Sequence, residues 1–246
     1  MRDRKDYIKN SYSKYWLTAR KNIYGFMPYD KAVLEVIEAK ATPESEVLEV
    51  AIGTGYPFAD SLSKRKYKVY GIDLSPDLIN ACLQLNSKIM AKVGDAENLE
   101  YSNNYFDTVY CMHSSWYLPN LNKAISEMYR VTKDSGHIIF DIQNLNNAYI
   151  NSLYTKHVFY NSHLLGMFIK SLRNAAKFIL QKGVQNWPFI VSETPSVPEN
   201  LMKKLTTLGV KEITIMARKE NDSVEIVDDS TFRFTEYDRL IFCIIK

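Results

Sequence analysis

The residues of this chain best suited to chemistry gather around two glycines. Gly53 and Gly55 flank Thr54 after the apolar run Val47-Leu48-Glu49-Val50-Ala51-Ile52, and a second run, Val69-Tyr70-Gly71-Ile72, ends in Asp73. Glycine lets a backbone approach a ligand with no Cβ in the way, and an acid closing the second run can accept from both hydroxyls of a ribose. That pairing suits a nucleoside-bearing cofactor. Further on, Gly94-Asp95-Ala96 closes another apolar run, and His113 stands beside Ser114, Ser115, Trp116 and Tyr117. An imidazole there has the pKa class of a general base, which makes His113 the best positional candidate for proton removal. His157, His163 and Tyr154 are weaker candidates, and His137 reads as structural.

These residues need elements to hold them, and the pattern alternates strand and helix. Strands are expected over 47–52, 69–73, 89–93, 106–112 and 137–141, where apolar residues run almost without a break. Ser75-Pro76 is an N-cap serine followed by proline at the first helical position, so a helix should run from there towards Asn86. Helices are also expected over 31–39 and 124–131, and from Pro195-Ser196-Val197-Pro198 through Leu205 to a stop at Gly209. Val210–Ala217 alternates as a strand, and Arg239–Ile245 is a continuous apolar one.

In order and spacing these segments resemble the class I S-adenosylmethionine-dependent methyltransferases over roughly residues 46 to 142. That family's first motif is acid-x-G-x-G-x-G, with Glu49 as the acid, Ala51 in place of the first glycine, Gly53 and Gly55 as the next two positions, and Thr54 between them. A dinucleotide-binding G-x-G-x-x-G is not met, because position 58 is Phe58. The resemblance implies that Asp73, with Leu74 beside it, holds the ribose, that Asp95 and the Ala96 backbone N–H read the adenine, and that Cys111 lines the cofactor pocket at the end of the fourth strand. It implies a doubly wound α/β fold: a mostly parallel, seven-stranded Rossmann-like sheet with helical cap elements, the last strand antiparallel. Lys133-Asp134-Ser135-Gly136 would be the turn into strand five. The implied function is methyl transfer from S-adenosylmethionine to an oxygen or nitrogen of a small molecule, an anionic one included. A cofactor-binding protein without turnover and a methyltransferase acting on a membrane-associated lipid remain open, whereas a nicotinamide oxidoreductase is disfavoured by Phe58 and the Gly94-Asp95-Ala96 segment.

Composition fits one globular enzyme domain. The 246 residues are 46% hydrophobic and 24% charged, with formal net charge +3, ordinary for a soluble chain and too little to suggest nucleic acid as a partner. The charged start Met1-Arg2-Asp3-Arg4-Lys5-Asp6 does not read as a secretory signal, and the three cysteines, Cys82, Cys111 and Cys243, lack metal-ligand spacing. A reduced, cytoplasmic setting without a metal is the expectation. The single domain divides into an N-terminal helical cap (1–40), the cofactor-binding core (46–142), a helical insertion (143–192) and a C-terminal helix with strands (193–246). In the cap, Tyr12 and Tyr15 are placed to contact the cofactor's methionine part or the acceptor, or to pack on the core.

The insertion stands apart by charge. From Ile142 to Ser192 there is no Asp or Glu, while Lys156, Lys170, Arg173, Lys177 and Lys182 supply five positive charges; the remaining 26 basic residues are fewer than the 28 acids. Helical spacing of Leu164, Leu165, Phe168, Ile169, Leu172, Ala175, Ala176 and Ile179 predicts an amphipathic helix with a basic face across 164–182. That face reads as a solvated exterior, as attraction for an anionic substrate, or as peripheral contact with an anionic membrane.

Overall fold

The computed structural model describes residues 4–7, 9, 17, 27–162, 165–166, 168–169, 172, 194–227 and 234–246. A helical turn at Arg4–Tyr7 precedes helix α1 (Pro28–Lys40), strand β1 (Glu46–Val50), helix α2 (Phe58–Ser63), β2 (Lys68–Asp73), α3 (Pro76–Leu85) and β3 (Met90–Val93). After β4 (Phe106–Cys111) come α4 (Leu121–Val131), β5 (Thr132–Gln143), α5 (Ala148–Ser162), α6 (Pro198–Leu208), β6 (Glu212–Arg218), β7 (Val224–Val227) and β8 (Arg239–Ile245).

The strands form one sheet in the order β3-β2-β1-β4-β5-β8-β6-β7. β1 to β5 are parallel, and β8 runs antiparallel between β5 and β6. Successive side chains on a strand face opposite ways. Leu48, Val109 and Ile138 therefore join Ile125 and Met128 of α4 and Leu205 of α6 on one face. Their neighbours Val47, Tyr110 and Ile139 join Val33 and Ile37 of α1, Leu62 of α2 and Cys82 of α3 on the other. With both faces covered, the central strands read as unbroken apolar runs and the sheet is doubly wound.

The local signals act as their chemistry requires. The Ser75 hydroxyl accepts from the Leu78 N–H at 3.3 Å to start α3, and Gly209 takes φ +76° to end α6.

Two expectations need correction. The sheet has eight strands, not seven: β7 pairs antiparallel with β6 and forms the edge. Its Val224-Glu225-Ile226-Val227 is a short β-prone run between two polar turn signals, with Ile226 facing solvent. Also, Lys133–Gly136 is no turn before β5 but a bulge within it. Phe106 pairs with Thr132 and Thr108 with His137, so these residues stand opposite Asp107 alone. Gly136 is required there, because a Cβ would meet the carbonyl oxygens of Lys133 and Asp107 at 2.8 and 2.9 Å. Of the expected 164–182 helix only positions 165, 166, 168, 169 and 172 lie within the described residues, and those are helical. His163, Tyr12 and Tyr15 lie outside them. No described helix is long and apolar enough to cross a membrane.

Candidate functional site

The strand order reverses between β1 and β4, and the chain leaves both strands at the same edge of the sheet, which opens a crevice. Two cavities lie there. The larger, of about 910 Å³, is bounded by the turn after β1, by Met112-His113-Ser114 after β4 and by Asp77, Asn80 and Gln84 of α3. A narrower slot is lined by Leu74, Leu78, Gly94, Asp95, Ala96 and Leu118. Ala51, Asp73, Leu78 and Ser114 border both.

The turn after β1 winds through the left-handed region three times, with φ of +59° at Ala51, +56° at Gly53 and +79° at Gly55. For Ala51 that conformation costs roughly 1–2 kcal/mol, since its Cβ crowds the following carbonyl. The turn is held by the acids around it. Asp73 accepts from the Gly53 N–H at 3.0 Å through Oδ2 and from the Ser75 N–H at 2.9 Å through Oδ1, which locks the end of β2 to the glycine turn. Each oxygen keeps further acceptor capacity. Burial pushes the Asp73 carboxyl above its ordinary pKa, although both N–H groups favour the charged form.

Glu49 is buried deeper. Its Oε2 accepts from the Ala59 N–H at 3.1 Å and the Tyr110 hydroxyl at 2.9 Å. Burial lifts its pKa to about 8 against the pull of those two bonds, and the neighbouring Asp73 charge adds to the rise.

At the slot, Asp95 accepts from the Glu97 N–H at 2.9 Å and from Lys5 Nζ at 2.7 Å, and Lys5 also reaches Glu97 at 2.9 Å. Burial alone would raise the Asp95 pKa, but the ammonium and the N–H outweigh it and hold the carboxyl below its ordinary value.

Two residues expected at the cofactor, Gly55 and Cys111, pack tightly against core side chains and are not among the described residues that line the cavities. Gly55 is not among the described lining residues of either cavity; a Cβ on it would come within 2.9 Å of Cys82 Sγ and 3.2 Å of Ile89, so glycine lets the turn close on α3. Cys111 is buried in the core with Val50, Val109 and Phe140, and burial drives its thiol pKa far up. Being fully buried at the strand's end, it leaves the lining to the three residues that follow it.

His113 lines the larger cavity but is not free to act as a base. Its Nδ1 lies 2.9 Å from Arg239 Nη1, and a guanidinium can only donate, so Nδ1 accepts. Nε2 then carries the proton and donates to Asp30 Oδ1 at 2.8 Å. With both ring nitrogens occupied, the expected role in proton removal is corrected to a positioning one. The imidazole stacks on Phe58 with ring centres 5.8 Å apart.

Around it lies a polar cluster that the sequence reading did not find. Asp141, fully buried, accepts from the His113 N–H at 2.8 Å and from the Tyr29 hydroxyl at 3.1 Å, with Arg239 Nη1 3.7 Å away. Burial and the Asp141 charge push the Tyr29 phenol well above its ordinary pKa. One signal existed: Asp30 falls on the same helical face as Val33, Leu34 and Ile37, where an unpaired acid would be costly.

A nucleoside cofactor fits these residues. The buried Asp73 carboxylate stands where the two cavities meet, able to take a ribose diol, and the slot offers Leu74, Leu78 and Leu118 to a flat ring with Asp95 at its edge. Gly53, Thr54 and Glu49 border the larger cavity, where the rest of such a molecule would lie.

Comparison with known proteins agrees. Residues 48–140 match the family described as "Methyltransferase domain". The chain is 31% identical over 121 residues to a malonyl-[acyl-carrier protein] O-methyltransferase of Buchnera aphidicola, covering 46% of this chain and 49% of that one. It is 29% identical over 156 residues to a demethylmenaquinone methyltransferase of Renibacterium salmoninarum, covering 60% and 62%. The chain thus spans about half to three fifths of the length of these curated relatives. Among solved structures, a methyltransferase of Thermotoga maritima described as a possible histamine N-methyltransferase superimposes with a TM-score of 0.57 at 18% identity, over 98% of this chain and 97% of that one, which is a likeness of fold. With the sheet order, the glycine turn locked to a ribose-side acid and the matched residues all in agreement, residues 48–140 form a methyltransferase domain of the S-adenosylmethionine-dependent kind, with S-adenosylmethionine as its cofactor.

Proposed function

We propose that the protein transfers a methyl group from S-adenosylmethionine to an oxygen or nitrogen atom of a small molecule, with an amine nitrogen the better fit. The observation that carries this reading is the larger cavity, about 910 Å³, which continues past the glycine turn along α3 to Gln84 and Leu85 and leaves room for a second molecule.

S-adenosylmethionine, when bound, supplies a methyl already activated on a sulfonium. What remains for the chain is to align an acceptor with that methyl and keep water out. Phe58, Met112 and His113 make a wall at the β1–β4 crevice, and Asp30 and Arg239 clamp the imidazole from both sides. An imidazole clamped at both ring nitrogens gives a wall of fixed shape rather than a proton acceptor. A hydroxyl acceptor needs a base as it attacks, whereas an uncharged amine attacks with its own lone pair and sheds its proton afterwards.

Charge points the same way. Among the described residues the cavity lining carries the carboxylates of Asp73 and Asp77 and no Lys or Arg, with Glu49 kept protonated near neutral pH by its burial, which suits an uncharged or cationic acceptor better than an anion.

The test is a screen with methyl-labelled S-adenosylmethionine against matched sets of small amines, hydroxyl compounds and carboxylates. Label transfer to amines supports the full reading. Transfer only to carboxylates or hydroxyls would overturn the choice of nitrogen. Cofactor binding with no transfer to any set would favour a binding protein without turnover.

A further inference from the structure

The most extensive apolar exposure among the described residues lies away from the cavity, in the insertion. Tyr149 and Leu153, one turn apart on α5, are exposed, and Leu165, Phe168 and Leu172 are 63, 61 and 55% exposed. The described positions from 165 to 172 are helical, and steps of three and four residues bring the last three side chains to one helical face. Burying such a side chain is worth about 1.5–3 kcal/mol, so a face that holds three of them in water is suited to a partner.

Charge selects the partner. The 51 residues from Ile142 to Ser192 contain no acid and five Lys or Arg, among them Lys156, which is exposed on α5. A second copy meeting this face about a two-fold axis would set one basic segment against another with no carboxylate between them. An anionic lipid surface meets both demands, because its acyl boundary takes the Leu and Phe side chains while its headgroups take the cations.

We propose that this stripe, Leu165, Phe168 and Leu172, docks the protein on an anionic membrane surface, with Tyr149 and Leu153 adding exposed apolar side chains within the same insertion. It lies in the plane of the surface, with no described helix fit to span the bilayer. The proposal is independent of which acceptor is methylated and of whether transfer occurs.

The full chain is sedimented with vesicles of phosphatidylcholine and with vesicles in which part of that lipid is replaced by phosphatidylglycerol. Binding to the second only, weakened by raised salt, is the expected result. Phe168→Ser together with Leu172→Ser should lower partitioning about tenfold or more, since two buried apolar side chains are lost. Both positions are exposed, and circular dichroism with S-adenosylmethionine binding checks that the fold is kept. No binding to phosphatidylglycerol vesicles at low salt, or equal binding to both vesicle types, overturns the proposal. So does self-association in sedimentation velocity that the double substitution abolishes, which would assign the stripe to a second copy.

Discussion

The two ends of the crevice are built in different ways. At the cofactor end the contacts that hold the glycine turn are local, with Asp73 reaching Gly53 twenty positions back and Ser75 two ahead and Glu49 reaching Ala59 ten ahead, while Tyr110 on Glu49 and Lys5 on Asp95 are added from 61 and 90 positions away. At the His113 end they are long-range: His113 meets Asp30 across 83 positions and Arg239 across 126, and Tyr29 meets Asp141 across 112. The glycine turn and its ribose-side acid at one end lie within a single β-α-β unit. The other exists only once α1, β5 and β8 have assembled. Cofactor binding is thus written into short segments, while the wall facing the acceptor depends on the completed fold.

The sharpest way to break that comparison is to remove the centre of the long-range cluster. Asp141→Ala leaves the Arg239 charge and the Tyr29 hydroxyl buried without their carboxylate, and should destabilise the fold by about 3–5 kcal/mol. Below its lowered melting temperature it should still bind cofactor within a few-fold of wild type, as titration at low temperature would measure. Loss of cofactor binding by the folded variant would show that the two ends are not separable.

A smaller effect belongs to Glu49. Its folded pKa of about 8 lies above the ordinary value of 4.5, so between these pH values the native state holds a proton that the unfolded chain has released. Its contribution to stability is full below pH 4.5 and declines as pH rises to 8, at up to about 1.4 kcal/mol per unit. Glu49→Gln should flatten the fall in stability over that window, read from denaturant midpoints of both proteins across pH. Parallel curves would remove the buried neutral acid from the account.

The mildest change relieves the turn. Ala51→Gly lifts the strain at φ +59° but frees the unfolded chain, so the net gain should be about 1 kcal/mol or less, with cofactor affinity unchanged. A loss of more than that in thermal unfolding would mean that the Ala51 methyl packs where backbone strain matters less.

The same contrast explains what could be read from the sequence. The Ser75 cap and the Gly209 stop each act within a few residues of where they stand and the Asp73 acid within one β-α-β unit, so all three are legible as local signals. Gly55 was read as a cofactor contact because sequence records its freedom at positive φ but not the Cys82 sulfur pressed against it. Cys111 was assigned to the pocket by its place at a strand end, where the burial that removes it depends on neighbouring strands. His113 looked like a free imidazole because Asp30 and Arg239 are far away in the chain. β7 escaped notice because four residues between polar turns make a weak strand signal until β6 offers an edge.

The most direct measurement is calorimetric titration of the protein and of Asp73→Ala with S-adenosylmethionine and S-adenosylhomocysteine, with NAD as the control. Saturable binding of the first two and none of NAD, weakened about a hundredfold or more by losing the carboxylate that bridges the two cavities, is the predicted result. Folded wild-type protein that binds neither, or an Asp73→Ala variant that keeps its fold and binds both equally well, would contradict the account.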